Sequence, residues 1–209
     1  MALTWPALLG VLTFLGLSLG LRLPTTTSSF DQEIHRATVS WRPPTLTPLV
    51  SAVTSLGSPI GLALLTCLAA AWWAMRRGWR PAAFTLCTML GASLLSSGLK
   101  LLFAWPRPPL ANLLGTPENN YSFPSGHSLG TAAFTTTLLC LAVLEPLSAR
   151  HKTVAVACCV ALPVFVGLSR IYLGYHWPTD VLAGWALGIA WPCLALLVTT
   201  SWQQRQPAK

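Results

Sequence analysis

Charged residues are scarce in this sequence, and acidic residues are the scarcest. Only 9% of the 209 residues are charged, with 5 acidic against 13 basic residues, whereas 53% are hydrophobic and the mean hydropathy is +0.59. Soluble globular proteins carry roughly 25% charged residues, so the composition excludes an ordinary soluble domain and predicts an integral membrane protein. Nucleic-acid binding needs a basic cluster on one face. The one dense basic cluster has just three residues, Arg76, Arg77 and Arg80, so we expect no nucleic-acid partner.

The sequence also lacks the cysteine patterns of metal sites. Its 6 cysteines all lie in uncharged apolar runs, and no C-x-x-C pair occurs. Cysteines in such surroundings behave as small hydrophobic residues, so we expect no disulfide, no metal and no cofactor.

Long uncharged stretches fill most of the chain. A bilayer core needs about 20 apolar residues per helix, and charges mark the ends of such helices. The sequence therefore predicts an all-α, single-domain protein over residues 1–209 with six transmembrane helices. The predicted spans are 2–21, 49–75, 81–99, 124–144, 153–169 and 181–202.

The segment 24–48 mixes hydrophobic side chains with charged ones. Phe30 and Ile34 alternate with Asp31, Glu33 and Arg36, which is typical of a short helix in the membrane interface. A polar loop fits the same residues equally well.

Six spans put both termini on one side of the membrane. On that side the loops and the tail carry seven basic residues, against six on the opposite side. Three of those six have a chemical reason to lie there, so by the positive-inside rule the count indicates that the termini are cytoplasmic. We therefore expect cytoplasmic termini and the opposite loops outside. The seven residues are Arg76, Arg77, Arg80, Arg150, Lys152, Arg205 and Lys209.

Three polar clusters lie at the edges of the predicted spans. Lys100 ends the third span, His127 begins the fourth, Arg170 ends the fifth and Asp180 begins the sixth. Ends of odd-numbered spans and beginnings of even-numbered spans share one membrane face. The clusters should therefore meet on that face, outside the cell.

The collected side chains suit a phosphate ligand. Lys100, Arg107 and Arg170 lack a matching set of acids, and both Arg and Lys bind phosphate oxygens well. Ser125 and Gly126 precede the fourth helix, where backbone N–H groups and the helix dipole favour an anion.

A histidine and a carboxylate at positions i and i+4 complete the pattern. If the sixth helix begins near Pro178, Asp180 can hold Nδ1–H of His176 and leave Nε2 free to attack phosphorus. His127 would then protonate the leaving oxygen.

The strings KLLFAWPRP, PSGH and SRIYLGYHWPTD resemble the three-part signature of the type 2 phosphatidic acid phosphatase family. Every position of the three motifs matches, in order and with intact spacing. The resemblance implies a metal-independent membrane phosphatase with His176 as the nucleophile and His127 as the acid. The residues implied to hold the phosphate are Lys100, Arg107, Ser125, Gly126 and Arg170.

The resemblance also implies a membrane lipid as substrate, on the outer face of a bacterial cytoplasmic membrane. Typical lipids for the family are undecaprenyl pyrophosphate, phosphatidylglycerophosphate, phosphatidic acid and diacylglycerol pyrophosphate. Short loops leave little protein above the phosphate, which favours undecaprenyl pyrophosphate by a narrow margin. Residues 118–121 could contact the headgroup or simply form the loop, and we favour the loop.

Three other functions remain open. An anion transporter would also collect basic residues, but transport sites usually lie near the membrane midplane, and these residues lie at its edge. A lipid-binding protein without catalysis would not need His176, His127 and Asp180. Vanadate-dependent oxidation would use the same pocket, but it suits a lipid-embedded chain poorly.

Overall fold

The computed structural model describes residues 3–20, 28–142 and 148–204. Within these ranges the chain is α-helical apart from turns, loops and two short 3-10 turns, which confirms the predicted all-α class. The helices are α1 Thr4–Gly20, α2 Ser29–Trp41, α3 Thr47–Leu56, α4 Pro59–Arg77, α5 Trp79–Phe103, α6 Gly126–Ala142, α7 Ala149–Tyr172 and α8 Pro178–Gln204.

The predicted span 49–75 is wrong as a single helix, because the helix is interrupted between α3 and α4. Ser58 is extended and its hydroxyl accepts a hydrogen bond from the backbone N–H of Gly61 at 3.0 Å. Pro59 follows at the first helical position, where its missing N–H costs nothing. A capping serine followed by proline starts a new helix, and hydropathy alone does not register this signal.

Four helices of the described chain are long and apolar enough to cross a membrane, namely α4, α5, α7 and α8. Both α1 and α6 reach 17 residues. Residues 143–147, where the fourth predicted span ends, lie outside the described residues, as do residues 2 and 21 of the first. The count of six spans stays a prediction.

The segment between the first two predicted spans contains α2, so the helix is the correct alternative there. Residues 24–27 lie outside the described part. Ser28 caps α2 by accepting the backbone N–H of Asp31 at 3.1 Å. The position of α2 in the membrane interface stays a prediction.

Small residues let α8 pack closely against α6 in the centre of the fold. A Cβ on Gly184 would lie 2.8 Å from the carbonyl oxygen of Ser125, and one on Gly188 would lie 2.5 Å from that of Leu129. Glycines four residues apart are a common device for bringing membrane helices into backbone contact. This contact fixes α8, which carries Asp180, against the start of α6, which carries His127.

Candidate active site

The structure brings the predicted site residues together at one end of the helix bundle. Lys100 lies in the last turn of α5 and Arg107 in the loop that follows. His127 lies in the first turn of α6. Arg170 lies in the last turn of α7, His176 in the connection to α8 and Asp180 in the first turn of α8.

His176 and Asp180 form the predicted pair. Nδ1 of His176 lies 3.4 Å from Oδ2 of Asp180, and both side chains are almost completely buried. The same carboxylate oxygen accepts the backbone N–H of Trp177 at 2.9 Å. With Nδ1 facing a carboxylate, the imidazole presents Nε2 to the rest of the site.

Ser122 also contacts this pair, and it was not among the residues predicted from the sequence. Its buried hydroxyl donates to Oδ2 of Asp180 and lies 3.4 Å from Nδ1 of His176. The side chain is fully buried two residues before the PSGH string. Proximity to that string was the available signal, but serine is common in loops.

Arg107 reaches across the site toward His176. Its Nη1 donates to the carbonyl of Tyr175 at 2.8 Å and lies 3.4 Å from Nε2 of His176. Its Nε donates to the carbonyl of Asn120 at 2.9 Å. The guanidinium is thus held against the nitrogen that would attack phosphorus.

Arg170 is almost fully buried, with 2% of its surface exposed. Its guanidinium carbon lies 3.8 Å from the centre of the Tyr175 ring, which is a close cation–π contact. Its backbone carbonyl accepts the N–H of Tyr175 at 3.0 Å. The arginine therefore also shapes the connection that carries His176.

Glu118 bridges the two arginines. Its Oε2 lies 2.7 Å from Nη2 of Arg107, and its Oε1 accepts from Nη2 of Arg170. The loop interpretation of residues 118–121 is therefore incomplete, because Glu118 lies within the candidate site. Its bidentate arrangement resembles the way arginines grip two oxygens of a phosphate.

Lys100 points its ammonium group at the same loop. Nζ donates to the carbonyl of Tyr121 and lies 3.4 Å from that of Ser122. A Cβ on Gly126 would lie 3.8 Å from Cε of Lys100. The lysine thus lies beside the start of α6, and its phosphate-binding role stays a prediction.

The PSGH segment differs from the prediction in one donor. The backbone N–H of Ser125 donates to the carbonyl of Asp180 at 3.0 Å, so this N–H is engaged within the protein. The hydroxyl of Ser125 accepts from the hydroxyl of Ser128 at 3.0 Å. Ser125 thus ties α6 to α8, whereas Gly126 and His127 line the cavity of the site.

Burial and neighbouring charges set the protonation states outside the spans. Burial, followed by the cations Lys100, Arg170 and Arg107, holds the pKa of His176 well below its usual 6.5. Burial alone would raise the pKa of Glu118, but Arg170 and Arg107 outweigh it and lower the pKa. At neutral pH the site therefore holds a neutral imidazole among fixed charges.

An elongated cavity of about 830 Å³ leads from His176 down between α4, α5 and α6. Its wall on α5 runs from Lys100 to Leu86, a distance of about 21 Å at the rise of an α-helix. Leu86 and Leu90 on this wall are exposed at the protein surface. The cavity thus has a charged end at the site and a mostly apolar wall along α5.

Comparison with known proteins places the chain among lipid phosphatases. Phosphatidylglycerophosphatase B of Bacillus subtilis (strain 168) is 34% identical over 164 residues, which cover 77% of this chain and 79% of that protein. Undecaprenyl-diphosphatase of Sulfolobus acidocaldarius is 38% identical over 84 residues, 36% of this chain and 32% of that protein. Lipid A 1-phosphatase of Rhizobium etli is 32% identical over 114 residues, 51% of this chain and 45% of that protein.

Solved structures share the fold. The crystal structure of the transmembrane PAP2 type phosphatidylglycerolphosphate phosphatase from Bacillus subtilis superposes with a TM-score of 0.83 at 28% identity, covering 99% of this chain and 100% of that one. Aquifex aeolicus LpxE gives a TM-score of 0.64 at 26% identity, covering 79% and 94%. These relatives are lipid phosphatases, and the model of the PAP2 superfamily matches residues 60–205, so this chain belongs to the PAP2 superfamily.

Proposed function

We propose that this protein hydrolyses a lipid phosphate or pyrophosphate through a phosphohistidine formed on His176. The observation that carries the proposal is the position of Nε2 of His176, 3.4 Å from a guanidinium nitrogen of Arg107. A phosphate held by that arginine would lie against the attacking nitrogen. Asp180 and Ser122 hold the opposite edge of the same imidazole.

The first step transfers the phosphoryl group to the protein. Nε2 of His176 forms a bond to phosphorus while the bond from phosphorus to the leaving oxygen breaks. His127 donates a proton to that oxygen, and Asp180 stabilises the imidazolium on the nucleophile. Lys100, Arg107 and Arg170 neutralise the charge that spreads over the phosphoryl oxygens.

The second step restores the enzyme. His127 takes a proton from water, whose oxygen attacks phosphorus, and the bond between phosphorus and Nε2 breaks. Inorganic phosphate leaves, and His176 is again neutral.

The shape of the cavity supports entry of the lipid from the side. The charged end of the cavity suits the phosphate, and the wall between α4 and α5 is mostly apolar and opens at the surface. A lipid tail would lie along this wall while the headgroup reaches His176.

The names and coverage of the relatives change the ranking of the proposed substrates. The relative that covers 77% of this chain is named phosphatidylglycerophosphatase B, whereas the one named undecaprenyl-diphosphatase covers 36%. We therefore place phosphatidylglycerophosphate first and undecaprenyl pyrophosphate second, which reverses the order expected from the short loops.

The decisive experiment measures phosphate release by detergent-purified protein in EDTA, with the two lipids side by side. We expect release from wild type and none from His176→Ala. Quenching in alkali should trap an acid-labile phosphoryl group on wild type, because phosphohistidine survives base. Normal release by His176→Ala would overturn the mechanism. Failure of folded wild type to release phosphate from either lipid would favour binding or transport.

We also propose that the site faces the outer side of a bacterial cytoplasmic membrane and that both termini are cytoplasmic. The basic residues around Arg76 and Arg150 lie at the ends of the predicted spans opposite to the site residues, and they support this orientation. A fluorescent protein fused to the C-terminus should therefore fold and fluoresce. An alkaline phosphatase fused at the same position should be inactive, and activity there would show that the proposed orientation is wrong.

A further inference from the structure

A buried carboxylate on α2 contacts the start of α8 from 148 positions away in sequence. Oδ1 of Asp31 accepts the backbone N–H of Thr179 at 2.9 Å, and Oδ2 accepts the hydroxyl of Thr179 at 2.8 Å. Asp31 is fully buried. It lies outside the part of the chain that the superfamily model matches, residues 60–205.

This contact completes a helix cap whose other half lies in the candidate active site. The first helical residue of α8 is Pro178, so Trp177 holds the N-cap position, and its side chain has no oxygen to accept an orphan N–H. Asp180, at the third helical position, accepts the N–H of Trp177 at 2.9 Å. In an ordinary capping box the N-cap side chain would supply the reciprocal bond. Here Asp31, from another helix, accepts the N–H of Thr179 at the second helical position, where an N-cap side chain can also bond.

A second contact on the same face of α2 covers the N-cap residue itself. His35 lies one helical turn after Asp31 and is also buried. Its ring centre lies 5.2 Å from that of Trp177. Its Nε2 lies 3.1 Å from the amide nitrogen of Asn112. Helix α2 is therefore fastened over the turn that joins His176 to Asp180.

We propose that Asp31 is a positioning residue for catalysis, which rests on the proposed function. By capping Thr179, it fixes the first turn of α8 so that the carboxylate of Asp180 faces Nδ1 of His176. Asp31 acts through Asp180 and takes no part in binding the phosphate, because the phosphate-binding cations lie on other segments. Its loss should therefore lower kcat and leave KM unchanged.

The kinetic test compares Asp31→Ala with Glu33→Ala, since Glu33 lies on the exposed face of the same helix. A misplaced nucleophile costs on the order of ten- to a hundredfold in rate, so we expect a fall of that size in kcat for Asp31→Ala alone. Asp31→Asn should recover most of the rate, because its amide oxygen still accepts the N–H of Thr179. If Asp31→Ala does not fold, Thr179→Val removes only the hydroxyl that donates to Oδ2 of Asp31, and we expect a smaller fall in kcat at unchanged KM; a normal kcat in that variant would overturn the positioning role.

Hydrogen exchange tests the cap independently of activity. The peptide containing residues 174–182 should exchange faster in Asp31→Ala than in wild type or Glu33→Ala, with Asp31→Asn close to wild type. Unchanged exchange would overturn the cap. Faster exchange with a normal kcat, or an effect on KM alone, would overturn the positioning role. If wild type hydrolyses neither lipid, the proposed function and with it the catalytic role fail, while the exchange result still decides the cap.

Discussion

Glu118 holds Arg170 through a direct ion pair, in which one carboxylate oxygen accepts from the buried guanidinium. The other carboxylate oxygen contacts Arg107. Both guanidinium groups are proposed to bind phosphate, so the carboxylate and the substrate would use the same donors. The Glu118 side chain is 28% exposed and lies in a loop, and it is therefore placed to move aside when phosphate enters.

Replacement of Glu118 by Gln should make anions bind more tightly. An incoming anion would displace a neutral amide in place of a charged carboxylate. We expect the inhibition constant of orthovanadate to fall by about three- to tenfold, the effect of roughly 1 kcal/mol. Competition assays with wild type and Glu118→Gln measure this directly. Weaker inhibition of the variant would show that Glu118 mainly organises the arginines.

His127 can be tested through the leaving group. If His127 protonates the leaving oxygen, His127→Ala should slow hydrolysis of a lipid phosphate by about 10²- to 10⁴-fold. Transfer from p-nitrophenyl phosphate should suffer much less, because p-nitrophenolate leaves without a proton. The variant should then release a burst of p-nitrophenol and accumulate the phosphohistidine. Equal losses on the two substrates would contradict the acid role.

Ser122 should contribute to the rate through Asp180. Ser122→Ala removes a donor to a buried carboxylate, and such hydrogen bonds are worth about 1.5–3 kcal/mol. We expect kcat to fall by about tenfold with little change in KM. Ser40→Ala provides a matched control, since Ser40 is exposed on α2 and bonds within its own helix. A change confined to KM would place Ser122 on the phosphate and not on Asp180.

Acid should destabilise the folded protein in two stages. The pKa values of His176 and His35 are lowered from 6.5, chiefly by burial. As the pH falls below 6.5, these histidines therefore become protonated in the unfolded chain before they do in the folded protein, which lowers the free energy of unfolding. The pKa of Glu118 is lowered from 4.5, so its stabilising contribution is lost only below that pH. Thermal unfolding in detergent should therefore show a midpoint that declines from pH 7 to pH 5. His176→Gln and His35→Gln should each flatten this decline, and a slope unchanged in both variants would contradict the assignment.

The spacing rules of the sequence were sufficient where one helix turn decides the geometry. His176 and Asp180 are four residues apart, and a helix that starts at Pro178 brings them together. The placement of Lys100, His127 and Arg170 at one end followed from the alternation of spans. These predictions depend on local periodicity and chain direction.

Two other features of the structure do not follow from hydropathy. The break at Ser58 and Pro59 is a capping signal inside an apolar run. The engaged N–H of Ser125 depends on how closely α8 approaches α6, which the glycines of α8 permit. Neither could be derived from the lengths of uncharged stretches.

By itself the sequence determined the all-helical membrane class, the family signature and the end of the bundle where the polar residues meet, because these follow from hydropathy, spacing and chain direction. Only the tertiary structure decided which further residues contact these polar residues and hold them in place. Glu118 reaches Arg170 across 52 positions, Ser122 reaches Asp180 across 58, and Asp31 reaches Thr179 across 148. A polar side chain in a loop or on an amphipathic helix has no local pattern that names its partner. The partner is fixed when packing buries both groups and each must find a hydrogen bond.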